Sequence, residues 1–379
     1  MPDNRAEAAA YLRELQERRE AYQQRAVGQL QTFFKRRDRR PPEEFHDSSF
    51  LYLRSYDADI GNRPFTGIDH WRSPDLLLSP ASNVGAYTTQ LNAGTTYIIR
   101  CLLRNRGDLA VPSAKVELYL TDPTLGFDTR FAKNLTLGKV PSAWVTSGGS
   151  AAAEFPFTVL PADAGHKCLF ARTFSFSPLE MPIDDFALDP RLDRHVAQQN
   201  LNIVSQGDAY GFKLVHAPNA RLRLDLKPMT PEALLALRHP VLADVQPARD
   251  FPQRGWVRLA RVEAVRGEHQ ITVERLREGL SVQSADRQGL SLAQQRRLSN
   301  SLRKVLAAVE AGKTRMADHR ELLASYRKMS AEARLSSFAM QIPDLGLRAG
   351  QAVGFQITSV DESSEPQEVI GGITLVIVG

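Results

Sequence analysis

Apolar positions recur every third or fourth residue at the start of this chain and every second residue from about position 50 onward. The change of period separates helix from strand, because side chains three or four apart share a helix face and side chains two apart share a sheet face. The two-residue period predicts short strands at 50–54, 97–104, 114–119, 153–159, 168–175 and 201–204, with Gly, Pro, Asn and Asp between them. Within 97–104, Tyr97, Ile99, Cys101 and Leu103 fall on one face. Arg100 and Arg104 fall on the other with Ile98 and Leu102, and Asn105-Arg106-Gly107-Asp108 supplies a turn. A second block of alternation covers 209–217, 220–226, 256–265, 269–276, 336–342, 352–360 and 371–378. The expectation is a mostly β chain of two antiparallel sandwiches, spanning 41–205 and 206–379, with the last strand tied into a sheet.

Two segments keep the helical period. Residues 4–36 place Tyr11, Leu15, Tyr22, Ala26, Leu30, Phe33 and Phe34 on one stripe, and Pro41-Pro42 ends the run. A lone helix cannot bury its own stripe. Its narrow apolar face and mixed-sign polar face favour a protein partner over a lipid surface, so 1–40 is expected as an amphipathic docking helix. The second segment, 291–336, reads as an α-hairpin inserted in a loop of the second sandwich. Ser291 and Gln294 have capping-box spacing. Leu298, Leu302, Val305, Leu306 and Val309 form one stripe, Gly312 follows as a helix stop, and Met316, Leu322, Leu323, Tyr326 and Met329 form the next. Insertions of this kind are cheap in loop entropy and often carry function.

The chain has 379 residues, 42% of them hydrophobic and 24% charged, which fits two or three folded units and excludes a disordered or collagen-like chain. No run of 18 apolar residues occurs, so no membrane span is expected. Net charge is +5, but it is concentrated: 291–336 holds ten Lys/Arg against four Asp/Glu. A smaller cluster lies at Lys35, Arg36, Arg37, Arg39 and Arg40. Arg315, Arg320 and Arg327 of the hairpin, with Tyr11, Leu15, Tyr22, Leu30, Phe33 and Phe34 of the N-terminal helix, are the expected partner-binding residues. A nucleic-acid surface is not expected from so small an overall excess. The N-terminal twenty residues lack the apolar run of a secretory signal, and two cysteines are too few for a disulfide framework. The expected setting is therefore the cytoplasm, with Cys101 and Cys168 as buried thiols.

Candidate chemistry is sparse. Asp57-x-Asp59-x-Gly61-Asn62 begins like a calcium loop, yet the twelfth position is Ile68, where a bidentate Glu is needed. Asp69 or Asp75 could complete an irregular site, and turn formation explains the same residues. Gly312-Lys313-Thr314 lacks the upstream glycine of a phosphate-binding loop, since that position is Ala307 in mid-helix. The eight histidines show no H-E-x-x-H spacing, and no G-x-S-x-G occurs. No catalytic, metal or cofactor-binding residue is assigned. Phe174, Phe176, Leu179, Met181, Ile183, Phe186 and Leu188 make a proline-broken apolar loop that must cover something, either an end of the sandwich or a partner.

Five segments together resemble bacterial immunoglobulin-like domains of the cell-adhesion-related (CARDB-like) type, over roughly 50–204. They are the 54–62 segment RSYDADIGN, Trp71-Arg72-Ser73-Pro74-Asp75-Leu76, YIIRCLLRNRG at 97–107, HKCLFAR at 166–172 and HVAQQNLNIV at 195–204. Arg194-His195 stands where that family often carries an Asn pair. The resemblance implies immunoglobulin-like sandwiches that bind, space or assemble, and it implies no activity. The resulting expectation is a non-catalytic structural or interaction module. It would be a subunit or adaptor of a multi-protein bacterial assembly such as a phage-tail-like particle, with other protein subunits or copies of itself as partners. Two alternatives are a carbohydrate- or surface-binding accessory protein, which needs exposed aromatics such as Tyr56, Phe65 or Trp71 clustered on one sandwich edge, and an enzyme whose site is assembled from distant residues.

Overall fold

A computed structural model describes residues 48–177, 180–237, 242–243, 245–248, 261–265, 271–277, 279–286, 289–364 and 367–379. The expected N-terminal helix, with Tyr11, Leu15, Tyr22, Leu30, Phe33 and Phe34, lies outside the described residues. So does the 256–260 part of the strand expected at 256–265.

The described chain is mostly β, arranged as several sheets with few helices. In the first unit, Thr96–Asn105 pairs antiparallel with Leu76–Pro80 on one side and with Ser150–Thr158 on the other. A second sheet runs from Val196–Gln199 through Cys168–Phe174 to Val111–Thr121, which also pairs with Lys133–Asn134 and Ser142–Val145. Ile99, Cys101 and Leu103 from the first sheet share one core with Val116, Leu118, Leu120 and Leu169 from the second. Each fully buried Leu or Ile there contributes about 2 kcal/mol.

The second unit packs a four-stranded sheet against a seven-stranded one over a shared core. The smaller runs Arg261–Ala264, Arg334–Gln341, Ala209–His216, and then Thr124–Leu125 in parallel. The larger runs Leu201–Ser205, Glu368–Val378, Gln351–Asp361, Ala220–Pro228, Gly279–Ser284 and Ile271–Arg275, with Gln246–Pro247 beside Gln351–Asp361. Phe212 and Phe338 stack between them, ring centroids 5.3 Å apart.

One strand belongs elsewhere than the sequence reading places it. Leu201–Ser205, expected to close the first sandwich, pairs in parallel with the C-terminal strand and so belongs to the second unit. The run 196–205 has no Gly or Pro at which a change of sheet could be read, and the crossing falls on Asn200 alone. Thr124–Leu125 makes the converse excursion, carrying Leu125 into the second core.

The units meet without a linker. Asn200 is fully buried; its side-chain amide donates to the Thr124 and Gly372 carbonyls at 2.8 and 2.9 Å, and its backbone N–H donates to the Trp71 carbonyl at 2.8 Å. Trp71, 1% exposed, donates from Nε1 to the Thr374 hydroxyl at 2.9 Å. The indole lies so close to the C-terminal strand that a Cβ on Gly372 would sit 2.2 Å from its ring. A Cβ on the neighbouring Gly371 would sit 2.6 Å from the Gly126 nitrogen. The Gly-Gly pair of that strand is thus a requirement of space, set by what crosses it on each side.

The helical hairpin consists of Leu292–Glu310 and Arg320–Ser330. Ser291 and Gln294 cap its first helix reciprocally, a device worth about 1 kcal/mol. Leu302, Leu306 and Tyr326 from its inner face form a cluster with Leu192, joined by Ile183, Leu323 and Met329. The hairpin therefore docks on its own frame.

Candidate functional site

Of the expected partner-binding residues within the described chain, Arg315 and Arg320 stand in solvent, Arg315 pairing with Asp318 three residues on. Arg327 is exposed too, and its Nε donates to the Ile183 carbonyl at 2.8 Å. The adjacent Ser330 hydroxyl donates to Asp184 at 2.5 Å, and Arg130 donates to the Ser330 and Ala331 carbonyls. The apolar loop is the hairpin's seat. Leu188 joins Phe127 and Phe170, Ile183 faces the hairpin, and Phe176, Met181 and Phe186 remain exposed.

Around the loop that begins like a cation site, Asp57 is exposed, and Asp59, Asp69 and Asp75 are taken by arginines. Asp59 is held by Arg63 at 2.8 Å, and Asp75 is held by both Arg54 and Arg104 with its side chain fully buried. Asp69 pairs with Arg72 and accepts from Gln356 across the junction at 2.7 Å. Among the described residues, no group of three or more His, Cys, Asp or Glu is disposed to hold a metal ion. Cys101 and Cys168 are free, buried and in different sheets, and burial pushes both thiols upward. Trp71 is enclosed, while Tyr56 and Phe65 are half-buried against each other at 5.5 Å, so the three rings form no exposed sugar platform.

Two polar constellations escape the sequence reading. The first is closed. His195, 3% exposed, has Nδ1 2.8 Å from Asp193 and Nε2 2.9 Å from Glu180, so a protonated ring donates to both. Burial alone lowers the His195 pKa, but Asp193 and Glu180 outweigh it and the net direction is upward. Burial likewise raises Glu180, and Arg194 with His195 reverses the sign. Glu180 also accepts from the Leu51 N–H, tying the apolar loop to the start of the first unit. With both ring nitrogens engaged by buried carboxylates, the group pins a loop.

The second is open. A cleft of about 420 Å³ lies where the two units meet. Lys167 follows His166 at the start of a first-unit strand, and Lys213 lies on the outer face of Ala209–His216 in the second. The two ammonium groups take the two oxygens of Asp122, Lys167 at 2.6 Å and Lys213 at 2.8 Å. His166 and Tyr210 line the same cleft, their rings 5.9 Å apart. Neither His166 Nδ1 nor the buried Tyr210 hydroxyl has a hydrogen-bond partner. Burial lowers the His166 pKa, leaving the ring neutral near pH 7, and raises that of Tyr210. Gly211 faces the cleft, and the nearest atom to a Cβ placed there is the Phe338 carbonyl oxygen at 3.8 Å, so the floor is open. Asp122, Lys167 and Lys213 share no sequence motif. The readable signals were the alternation that sends Lys213 outward and the direct succession of His166 and Lys167.

No family model matches this chain. No curated protein matches it either. Among solved structures it is similar to the CupB6 tip adhesin of Pseudomonas aeruginosa, at 9% identity over 81% of this chain and 97% of that one, TM-score 0.16. It is similar to the N-terminal domain of the Streptococcus gordonii adhesin Sgo0707, at 6% identity over 75% and 61%, TM-score 0.20. A β-glucosidase from Listeria innocua, in complex with glucose, aligns at 13% identity over 35% of this chain, TM-score 0.17. This chain spans 16% of that enzyme's length. At these TM-scores no argument about function is drawn from them.

Proposed function

We propose that this protein is a non-catalytic structural and interaction module, with immunoglobulin-like sandwiches as its frame and other protein subunits or further copies of itself as partners. The setting proposed is a multi-protein bacterial assembly built in the cytoplasm, of which a phage-tail-like particle is one form. The observation that carries the reading is the division of labour on the hairpin. Its inner face is spent on Leu192 and Ile183. Its outward surface carries Arg297, Lys304, Lys313, Arg315, Arg320 and Lys328, all exposed. So many solvated cations on one inserted element steer an acidic protein surface more than they stabilise the fold.

The test is a triple charge reversal, Arg297→Glu, Lys304→Glu and Arg320→Glu, expressed in the native host. The expected result is loss of the native assembly, read as particle mass, with the melting temperature unchanged. An assembly of parental mass refutes the reading. A companion deletion of residues 1–40 assigns the N-terminal segment, and loss of assembly with intact sheets supports its docking role.

A further inference from the structure

Two ammonium groups share the one carboxylate of Asp122 in the junction cleft. Side-chain exposure is 13% for Lys167 and 28% for Lys213, against 41% for Asp122, so the carboxylate is the most solvated of the three. Each ammonium has three donors and spends one on Asp122. His166 lines the same cleft with its ring half-buried, while the Tyr210 hydroxyl is closed off from it. Clefts at unit junctions, between about 300 and 1,000 Å³ with a few convergent polar groups, are where small molecules bind.

We propose that this cleft binds a hexose-sized molecule carrying one oxyanion group. The anion takes the free donors of Lys167 and Lys213 beside Asp122, and the rest of the ligand lies along the cleft against His166 and Ala339. The open floor at Gly211 gives the ring its space. A neutral sugar lacks the group that the ammonium pair selects, and a polyanion meets the Asp122 carboxylate.

The experiment is calorimetric titration of the full chain with D-glucuronate and with glucose 6-phosphate, and with glucose as the neutral control. Binding by either anionic probe at millimolar affinity or better, roughly tenfold above glucose, supports the site, and the arm that binds more tightly separates a carboxylate from a phosphate ligand. Asp122→Asn removes the competing carboxylate and is expected to tighten binding several-fold. Lys167→Gln is expected to weaken it about tenfold, the loss of one charge-assisted hydrogen bond. Gly211→Leu fills the floor from a strand position with ordinary backbone geometry, and is expected to abolish binding at an unchanged melting temperature. No heat from either anion at about 20 mM, equal binding of glucose, or parental binding by Gly211→Leu overturns the proposal. None of these outcomes bears on the hairpin's partner surface, so the two readings fail separately.

Discussion

Gly372→Ala tests whether the junction is a packed core or two units in loose contact. The new Cβ would lie 2.2 Å from Trp71 Cδ2 and Cε2 and 2.5 Å from Cε3. Carbon atoms rest at about 3.5 Å, so the ring must retreat by roughly 1.3 Å. It is already fully enclosed, and overpacking of this kind costs about 1–3 kcal/mol. Retreat also stretches the 2.9 Å bond from Trp71 Nε1 to Thr374, and an orphaned buried donor costs about 1–3 kcal/mol more. The expected loss is about 4 kcal/mol, a large share of the ~5–15 kcal/mol that holds a domain folded. Urea unfolding followed by tryptophan fluorescence and near-ultraviolet circular dichroism measures it. The parent should unfold in one transition, and the variant earlier and in two, as the units uncouple. Gly211→Ala is the control. Its Cβ meets only the Phe338 carbonyl oxygen at 3.8 Å, and reduced unfolded-state freedom should raise stability by about 0.5 kcal/mol. If Gly372→Ala lies within about 0.5 kcal/mol of the parent, a surface-like result, the junction is not the packed core described.

Glu368 accepts from Arg303 of the hairpin and lies 3.4 Å from Arg191, with all three side chains largely buried. Glu368→Ala strands Arg303, while Arg191 keeps Asp189 at 2.6 Å, and is expected to cost about 3 kcal/mol, read as faster proteolysis and hydrogen exchange in 311–319, with the first-unit strands keeping their protection. His195 predicts a pH dependence. Its pKa is raised in the fold, so its contribution is full below about pH 6.5 and is lost as pH rises through the folded value. His70 acts in the opposite sense: burial, with Arg191 adding to it, lowers its pKa to about 4, so its neutral form favours folding above about pH 6.5 and that stability is lost on acidification. Subtracting the stability profile of His195→Gln from that of the parent isolates the first term. The difference should decline as pH rises above about 6.5, and a flat difference refutes the assigned ion pairs. Asp75→Asn leaves Arg54 and Arg104 around a neutral amide and is expected to lower stability by roughly 3 kcal/mol, measured by thermal unfolding.

Alternation made the strands legible because most have one buried and one solvated face. In Thr96–Asn105 the buried positions are Tyr97, Ile99, Cys101, Leu103 and Asn105, as the two-residue period requires. The hairpin was legible for the corresponding reason, its stripe and its Ser291 cap both being local. What could not be read is whatever depends on partners far away in the chain. Leu76–Pro80 and Gly279–Ser284 are too short or too evenly buried to show a period. The destination of the hairpin stripe is set by Ile183 and Leu192, more than a hundred residues earlier, so what covers it could not be read locally. The cleft is of the same kind. Asp122, Lys167 and Lys213 converge only because Thr124–Leu125 leaves its own unit to pair with Lys213–Leu214.

The buried charges explain why this arrangement is chosen over other packings of the same sheets. Glu180 joins the apolar loop to Leu51 and His195, Asp75 joins Arg54 to Arg104, and Glu368 joins the C-terminal strand to the hairpin and to the first unit. Such pairs add little net stability, because desolvation offsets most of their attraction, yet separating one partner from another is expensive. A shift of the hairpin by one turn, or of one unit by one strand register, would leave Arg303 or Glu368 buried without its counter-charge. The apolar clusters alone would tolerate such slips, since Leu, Ile and Met repack at modest cost. Hydrophobic burial thus supplies the driving force and the arginine–carboxylate knots select the register. The outer cationic face of the hairpin and the junction cleft are consequently held at a fixed separation, and a partner bound at one meets the other in a constant geometry.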